Sequence, residues 1–365
     1  MGSQKPSSFS SLFFLIFSIY LFRVSNSALV PAIYVFGDSL VDVGNNNHLK
    51  LSLAKANFPH NGLDFPTKKP TGRFSNGKNA ADYVAEKVGL PTSPPYLSLI
   101  SKFRKVTNTT PFKTGVSFAS GGAGIFNETN KLFKQSVAMD QQIEFYSLVY
   151  KTLVGELGSP GAAEHLSKSL FTVVIGSNDI FGYHESSDLR NKYSPQQYVD
   201  SMASTLKSQL KRLYGYGARK YVVGGIGPVG CAPSQRKRSK GGECDEEVNN
   251  WAAIYNIALK SMLQTLKMEL KDISYSYFDV YQVMSNFLRS PSSFGFTEIK
   301  SACCGLGNLK ADVPCLPIAT FCPNRNNHLF WDLYHPTQQA HYMFANYIFD
   351  GPFTYPLNVN QLIAL

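Results

Sequence analysis

The chain has 365 residues, 44% of them hydrophobic and 16% charged, with a formal net charge of +10 at pH 7. It can bury a sizeable core, and with no Pro/Gly/Ser-rich linker, repeat or low-complexity tract to divide it, it reads as one enlarged domain. The positive balance favours polyanionic surroundings such as acidic polysaccharide or anionic lipid. However, the densest basic run, Arg236-Lys237-Arg238-Ser239-Lys240, is followed by Glu243, Asp245, Glu246 and Glu247, an alternation that reads as an exposed loop rather than a nucleic-acid site.

Residues 1–27 read as a secretory signal peptide. Lys5 sits in a short polar start, an apolar stretch runs from Leu12 to Phe22, and Ser25 and Ser27 are the small residues before a cut. The apolar stretch is too short to span a membrane. The mature domain is then 28–365, in an oxidising compartment where Asn108-Thr109-Thr110 and Asn127-Glu128-Thr129 are glycan acceptors.

Along the mature chain, Ala32 to Phe36, Leu170 to Ile175, Lys220 to Gly224 and Ile273 to Val280 read as central strands alternating with helices, the pattern of an α/β fold with a parallel sheet. Ser194-Pro195 opens one helix, whose stripe is Tyr198, Met202, Leu206, Leu210 and Leu213. A second stripe carries Trp251, Tyr255, Leu259, Met262, Leu266 and Leu270. Both stripes read as core. Cys231, Cys244, Cys303, Cys304, Cys315 and Cys322 allow up to three disulfides whose pairing the sequence leaves open, although Cys231 with Cys244 would close a small loop. Without Cys-x-x-Cys or His-x-x-x-His spacing, no metal site is expected.

The turn after each early strand is small or polar: Gly37-Asp38-Ser39, Gly176-Ser177-Asn178-Asp179 and Gly225-Ile226-Gly227-Pro228. Ligands of open α/β sheets collect at that edge. Ser39 sits where a strand must turn, with Gly37 permitting a tight bend and Asp38 able to hold local amides. A serine hydroxyl is a weak nucleophile until an imidazole takes its proton and a carboxylate orients that imidazole. Of the seven histidines, only His335 has an acid three positions before it, Asp332. Pro336 pushes His335 out of helical geometry and itself suits the first turn of a helix running to about Phe349. Oxyanion donors are expected from the Ser39 N–H, from the run Gly121-Gly122-Ala123-Gly124 and from the Asn178 amide. No Gly-x-Ser-x-Gly elbow surrounds Ser39, which argues against an ordinary α/β-hydrolase.

These blocks, in this order, resemble the GDSL esterase/lipase family of SGNH hydrolases, in its plant branch. The resemblance covers essentially the mature chain: Phe36-Gly37-Asp38-Ser39-Leu40 with Asp42-x-Gly44-Asn45-Asn46; Pro70 to Gly77; Ser117 to Gly124; Gly176-Ser177-Asn178-Asp179; and Phe330-Trp331-Asp332-x-x-His335-Pro336-Thr337. It departs at Ser117, where many relatives carry asparagine. The resemblance implies a flavodoxin-like three-layer α/β/α sandwich, no cofactor, Ser39 as nucleophile, His335 and Asp332 completing the triad, and Ser39, Gly122 and Asn178 as oxyanion donors.

The expected activity is hydrolysis of small-molecule or lipid acyl esters by a secreted enzyme, extracellular or in the cell wall, where a polysaccharide could be a partner. A carbohydrate acetylesterase or cell-wall acyltransferase would use the same site. A catalytically silent modifier or binding protein is the alternative from another class.

Overall fold

Four runs rich in β-branched and aromatic residues form parallel strands: β1 (Ile33–Gly37), β2 (Leu170–Val174), β3 (Lys220–Gly224) and β4 (Ser274–Phe278). The computed structural model describes residues 28–100, 109–129 and 134–365. The signal-peptide segment 1–27 and Asn108 lie outside the described residues. The sheet order is β1-β2-β3-β4, extended at the edge by an antiparallel strand, β5 (Thr354–Pro356). The sequence pattern did not reveal β5. It is three residues long and contains a proline, which a sheet accepts at its edge and not at its centre. Strand β4 stops at Phe278 rather than Val280 because the Asp279 carboxylate accepts from the Gln282 N–H and starts a helix there.

In chain order the longer helices are α1 (Ala80–Lys87), α2 (Met139–Lys168), α3 (Ser177–Glu185), α4 (Pro195–Gly215), α5 (Glu246–Glu269), α6 (Val280–Arg289) and α7 (Gln338–Asp350), followed by the short α8 (Val359–Ile363). Alternation along the strands sends side chains to two cores. Tyr34, Phe36, Phe171, Val173, Tyr221 and Val223 face one core, which α2, α4 and α5 cover. Ile33, Val35, Leu170 and Val222 face the other, covered by α1, α7 and α8. The result is a three-layer α/β/α sandwich. The expected stripes of α4 and α5 are buried, Leu270 only partly, and α4 starts at a capping box made by Ser194 and Gln197.

The pairing left open by the sequence is Cys231–Cys244, Cys303–Cys322 and Cys304–Cys315. The first bond corrects the expected exposed basic loop. Arg236 is buried inside the segment it closes, with Nε donating to the Cys231 carbonyl at 2.8 Å and Nη1 to the Gly242 carbonyl at 2.9 Å. A buried guanidinium needs acceptors, and this loop supplies backbone ones. Arg238 and Lys240 remain exposed.

Candidate active site

In register, Gly37, Val174, Gly224 and Phe278 stand level, so the four parallel strands end flush at one rim. At Gly37 the backbone has φ +154°, and an added Cβ would lie 2.2 Å from the Val174 carbonyl oxygen, so only glycine lets the chain turn against β2. Gln142 of α2 clamps this residue from both sides: its Oε1 accepts from the Gly37 N–H at 2.9 Å and its Nε2 donates to the Gly37 carbonyl at 2.8 Å. Asp38 then holds the turn, its Oδ1 accepting from the Leu40 N–H at 2.9 Å. Ser39 is left at the rim, partly exposed.

His335 comes to Ser39 from the far end of the sequence. Its Nε2 lies 2.7 Å from Ser39 Oγ, and its Nδ1 lies 2.7 and 2.8 Å from the two oxygens of Asp332. A carboxylate only accepts, so it fixes Nδ1 as the donor and leaves Nε2 to accept the serine proton. Asp332 Oδ1 also accepts the backbone N–H groups of Tyr334 and His335, both at 2.9 Å, which folds residues 332–335 into a tight turn. Phe74 packs on the imidazole with ring centroids 5.0 Å apart. The expected start of the next helix needs correction. Thr337, not Pro336, introduces α7: its side chain caps the Ala340 N–H, and Pro336 instead bridges to Phe330. The Trp331 N–H donates to the His335 carbonyl at 2.7 Å, closing the turn from the other side.

The Asp42-x-Gly44-Asn45-Asn46 block is a scaffold for the glycine loop. Asp42 accepts from the N–H groups of Gly44, Asn45 and Gly121, the last at 3.0 Å. Asn45 Nδ2 donates to the carbonyls of Ser117 and Ala119, and Asn46 Nδ2 to that of Gly121. This network fixes residues 117–124, and with them Gly122, whose φ of 81° suits glycine. Asn178, in the first turn of α3, donates to the Ala123 carbonyl at 2.9 Å. An amide nitrogen carries two N–H bonds, so a second donor is left for a ligand. Asp179 ties down the far end of the loop by accepting from the Ile125 and Phe126 N–H groups at 2.9 and 3.2 Å. Burial pushes the Asp38 carboxyl up to about 7, and those of Asp42 and Asp179 to about 6. Ser117 is fully buried and serves through its backbone, while its hydroxyl finds no partner among the described residues.

Ser39, Gly122, Asn178, Asp332 and His335 all line one cavity of about 420 Å³ whose walls are mostly apolar. The geometry brings together the five residues expected to take part in the chemistry around the proposed reaction centre. A hydroxyl, an imidazole and a carboxylate in series can pass a proton away from oxygen, and donors beside them can hold a developing anion. Asn127 lies apart from this centre and is exposed. Among the described residues, no group of histidines, cysteines and acids is placed to hold a metal ion. Sequence reasoning missed Gln142, and it named Phe74, Asp42, Asn45 and Asn46 without their part in holding the site. Gln142 lies 105 residues from its partner, a pairing with no local signal.

The GDSL-like lipase/acylhydrolase family model matches residues 33–348. An Arabidopsis thaliana GDSL esterase/lipase is 49% identical over 342 residues, covering 92% of this chain and 91% of its own, and another is 38% identical over 346 residues, 92% of each. Among solved structures, the acetylxylan esterase Axe2 of Geobacillus stearothermophilus aligns over 88% of this chain and 95% of its own, at 11% identity and a TM-score of 0.37. The chain belongs to the GDSL-like lipase/acylhydrolase family and is an ester-hydrolysing enzyme.

Proposed function

We propose that the protein is a secreted serine esterase or lipase that cleaves carboxylic acyl esters through an acyl-enzyme on Ser39. The observation that carries this reading is the unbroken hydrogen-bonded series from Ser39 Oγ through both nitrogens of His335 to Asp332. In the first half-reaction Ser39 Oγ bonds to the ester carbonyl carbon as its proton passes to His335 Nε2. The oxyanion is held by the N–H groups of Ser39 and Gly122 and by the Asn178 amide. Collapse breaks the bond to the alcohol, which leaves with the proton from His335. Water, deprotonated by the same imidazole, then releases the acid. Asp332 steadies the imidazolium without taking its proton. Acid that protonates His335 should therefore stop turnover.

The secreted reading rests on the leader pattern and on three disulfides, which persist in oxidising compartments. Asn127, exposed on its loop, suits the glycan proposed there. Among the described residues no helix is long and apolar enough to cross a membrane. The apolar walls of the cavity favour a small-molecule or lipid acyl ester over an acetylated sugar. The purified protein should hydrolyse p-nitrophenyl acetate, butyrate or palmitate, and Ser39→Ala should abolish that turnover. Folded protein inert toward all three esters would refute the reading.

A further inference from the structure

The cavity that contains Ser39 continues beneath the rim, between the sheet and its helical cover. Its inner wall includes Val174 of β2, Val222 of β3 and Phe278 of β4. Alternation places all three on the same sheet face, since Val174 and Phe278 stand level with Gly224, two residues beyond Val222. The opposite wall comes from Ala81 and Val84 of α1 and from His341, Phe344 and Ile348 of α7. Those positions follow helical spacings of three, three and four, so each helix turns a single face inward.

Val174 stands at the rim and keeps accessible surface, whereas Val222, two residues deeper, is 3% exposed and still lines the cavity, so the cavity runs inward from the rim. Thr172 of β2, level with Val222, and His341 are polar groups of these walls: His341 is 3% exposed, its Nδ1 has no partner among the described residues, and burial pushes its pKa down to about 3. The wall is therefore uncharged there. From His341 to Ile348, α7 advances about 10 Å, more than an acetyl group fills.

We propose that this inner arm holds the acyl chain of the ester, which makes the substrate class a medium- or long-chain fatty acyl ester. The proposal rests on the reading that Ser39 forms the acyl-enzyme. The acyl group stays bonded to Ser39 while the alcohol departs, so a buried arm suits the first and an open side the second. The open side is lined by Leu53, Leu316 and Tyr334, which are 63%, 37% and 39% exposed.

The test compares p-nitrophenyl acetate, butyrate, octanoate and laurate with wild type, Ala81→Leu and Val84→Phe, folding being checked by thermal melting. Each methylene moved from water into an apolar channel is worth about fourfold, so wild-type kcat/KM should rise by about tenfold or more from butyrate to octanoate. Both substitutions narrow the channel and should cut the octanoate-to-butyrate ratio by about tenfold. An unchanged ratio in both folded variants overturns the channel, as does a ratio that responds instead to Leu53→Asp. In either case serine chemistry would stand as long as Ser39→Ala remained inactive. Wild-type turnover by Ser39→Ala would remove the underlying reading itself. Should neither variant fold, a crystal structure of wild type trapped with a dodecyl fluorophosphonate decides the point. A chain against Val84 and Phe344 supports the channel, and one along Leu53 and Leu316 overturns it.

Discussion

Ser39, His335 and Asp332 form a series in which each hydrogen bond sets the job of the next group. Asp332→Asn keeps the size of the side chain but can donate as well as accept, so the imidazole loses its enforced tautomer. We expect kcat to fall by about 1,000- to 10,000-fold with little change in melting temperature. Asn178→Ala removes one proposed oxyanion donor and should lower kcat by about 100- to 1,000-fold while leaving KM nearly unchanged. Steady-state kinetics on a short ester separates these outcomes from unfolding. These four side chains were legible in the sequence because their signals are local: a small turn after an apolar run, an acid three residues before a histidine, and an amide directly after a buried strand. The ring of Phe74 on His335 and the Gln142 clamp on Gly37 were not legible, because each joins segments that only the fold brings together.

The elements around the site are held by side chains that do no chemistry. Asp42 serves three backbone N–H groups at once, and Asp42→Ala would strand them in the interior. At about 1 to 3 kcal/mol for each buried donor left unmade, this substitution should cost several kcal/mol in chemical denaturation and lower kcat through the displaced Gly122 loop. Arg73 makes a two-point pair with Asp82, both buried, at 2.7 Å on each arm, and joins the Pro70–Gly77 segment to α1. Burial alone would raise the Asp82 carboxyl, but the guanidinium holds it below the usual carboxylate range. Arg73→Ala leaves that carboxylate buried and unpaired, and should cost about 3 to 5 kcal/mol. The four parallel strands and the two long apolar stripes were read correctly because periodicity encodes them. β5 escaped because it is short and contains a proline, and the start of α7 moved past Pro336 to Gln338 because the Thr337 side-chain cap outweighed the preference of proline for a first turn.

At the scale of the molecule, three buried carboxyls impose a pH dependence on stability. Asp38, Asp42 and Asp179 bind their protons more tightly in the folded protein, at about 7, 6 and 6, than in the unfolded chain, where an aspartate titrates near 3.9. Folding therefore takes up protons across this window. The stabilising effect is fully present below the unfolded value and is lost as pH rises through about 6 to 7. His341, held down at about 3 by burial, opposes this below its unfolded value near 6.5, so the carboxyl contribution is read by difference: Asp179→Asn should make the slope of unfolding free energy against pH more positive than in wild type between pH 4 and pH 6. The aromatic residues illustrate the limit of composition as a guide. Tyr34, Phe36, Phe118 and Tyr146 pack together in the core, whereas Phe74, Phe181 and Phe344 line the cavity, and only the fold sorts one set from the other. We propose that one serine, activated by one histidine, carries the ester hydrolysis of the whole protein. The most direct measurement is to titrate the enzyme with a fluorophosphonate, following residual esterase activity while peptide mass spectrometry locates the adduct. A single adduct on Ser39, whose occupancy matches the activity lost, is expected. Activity that survives full modification of Ser39, or that is lost to an adduct elsewhere, would contradict it.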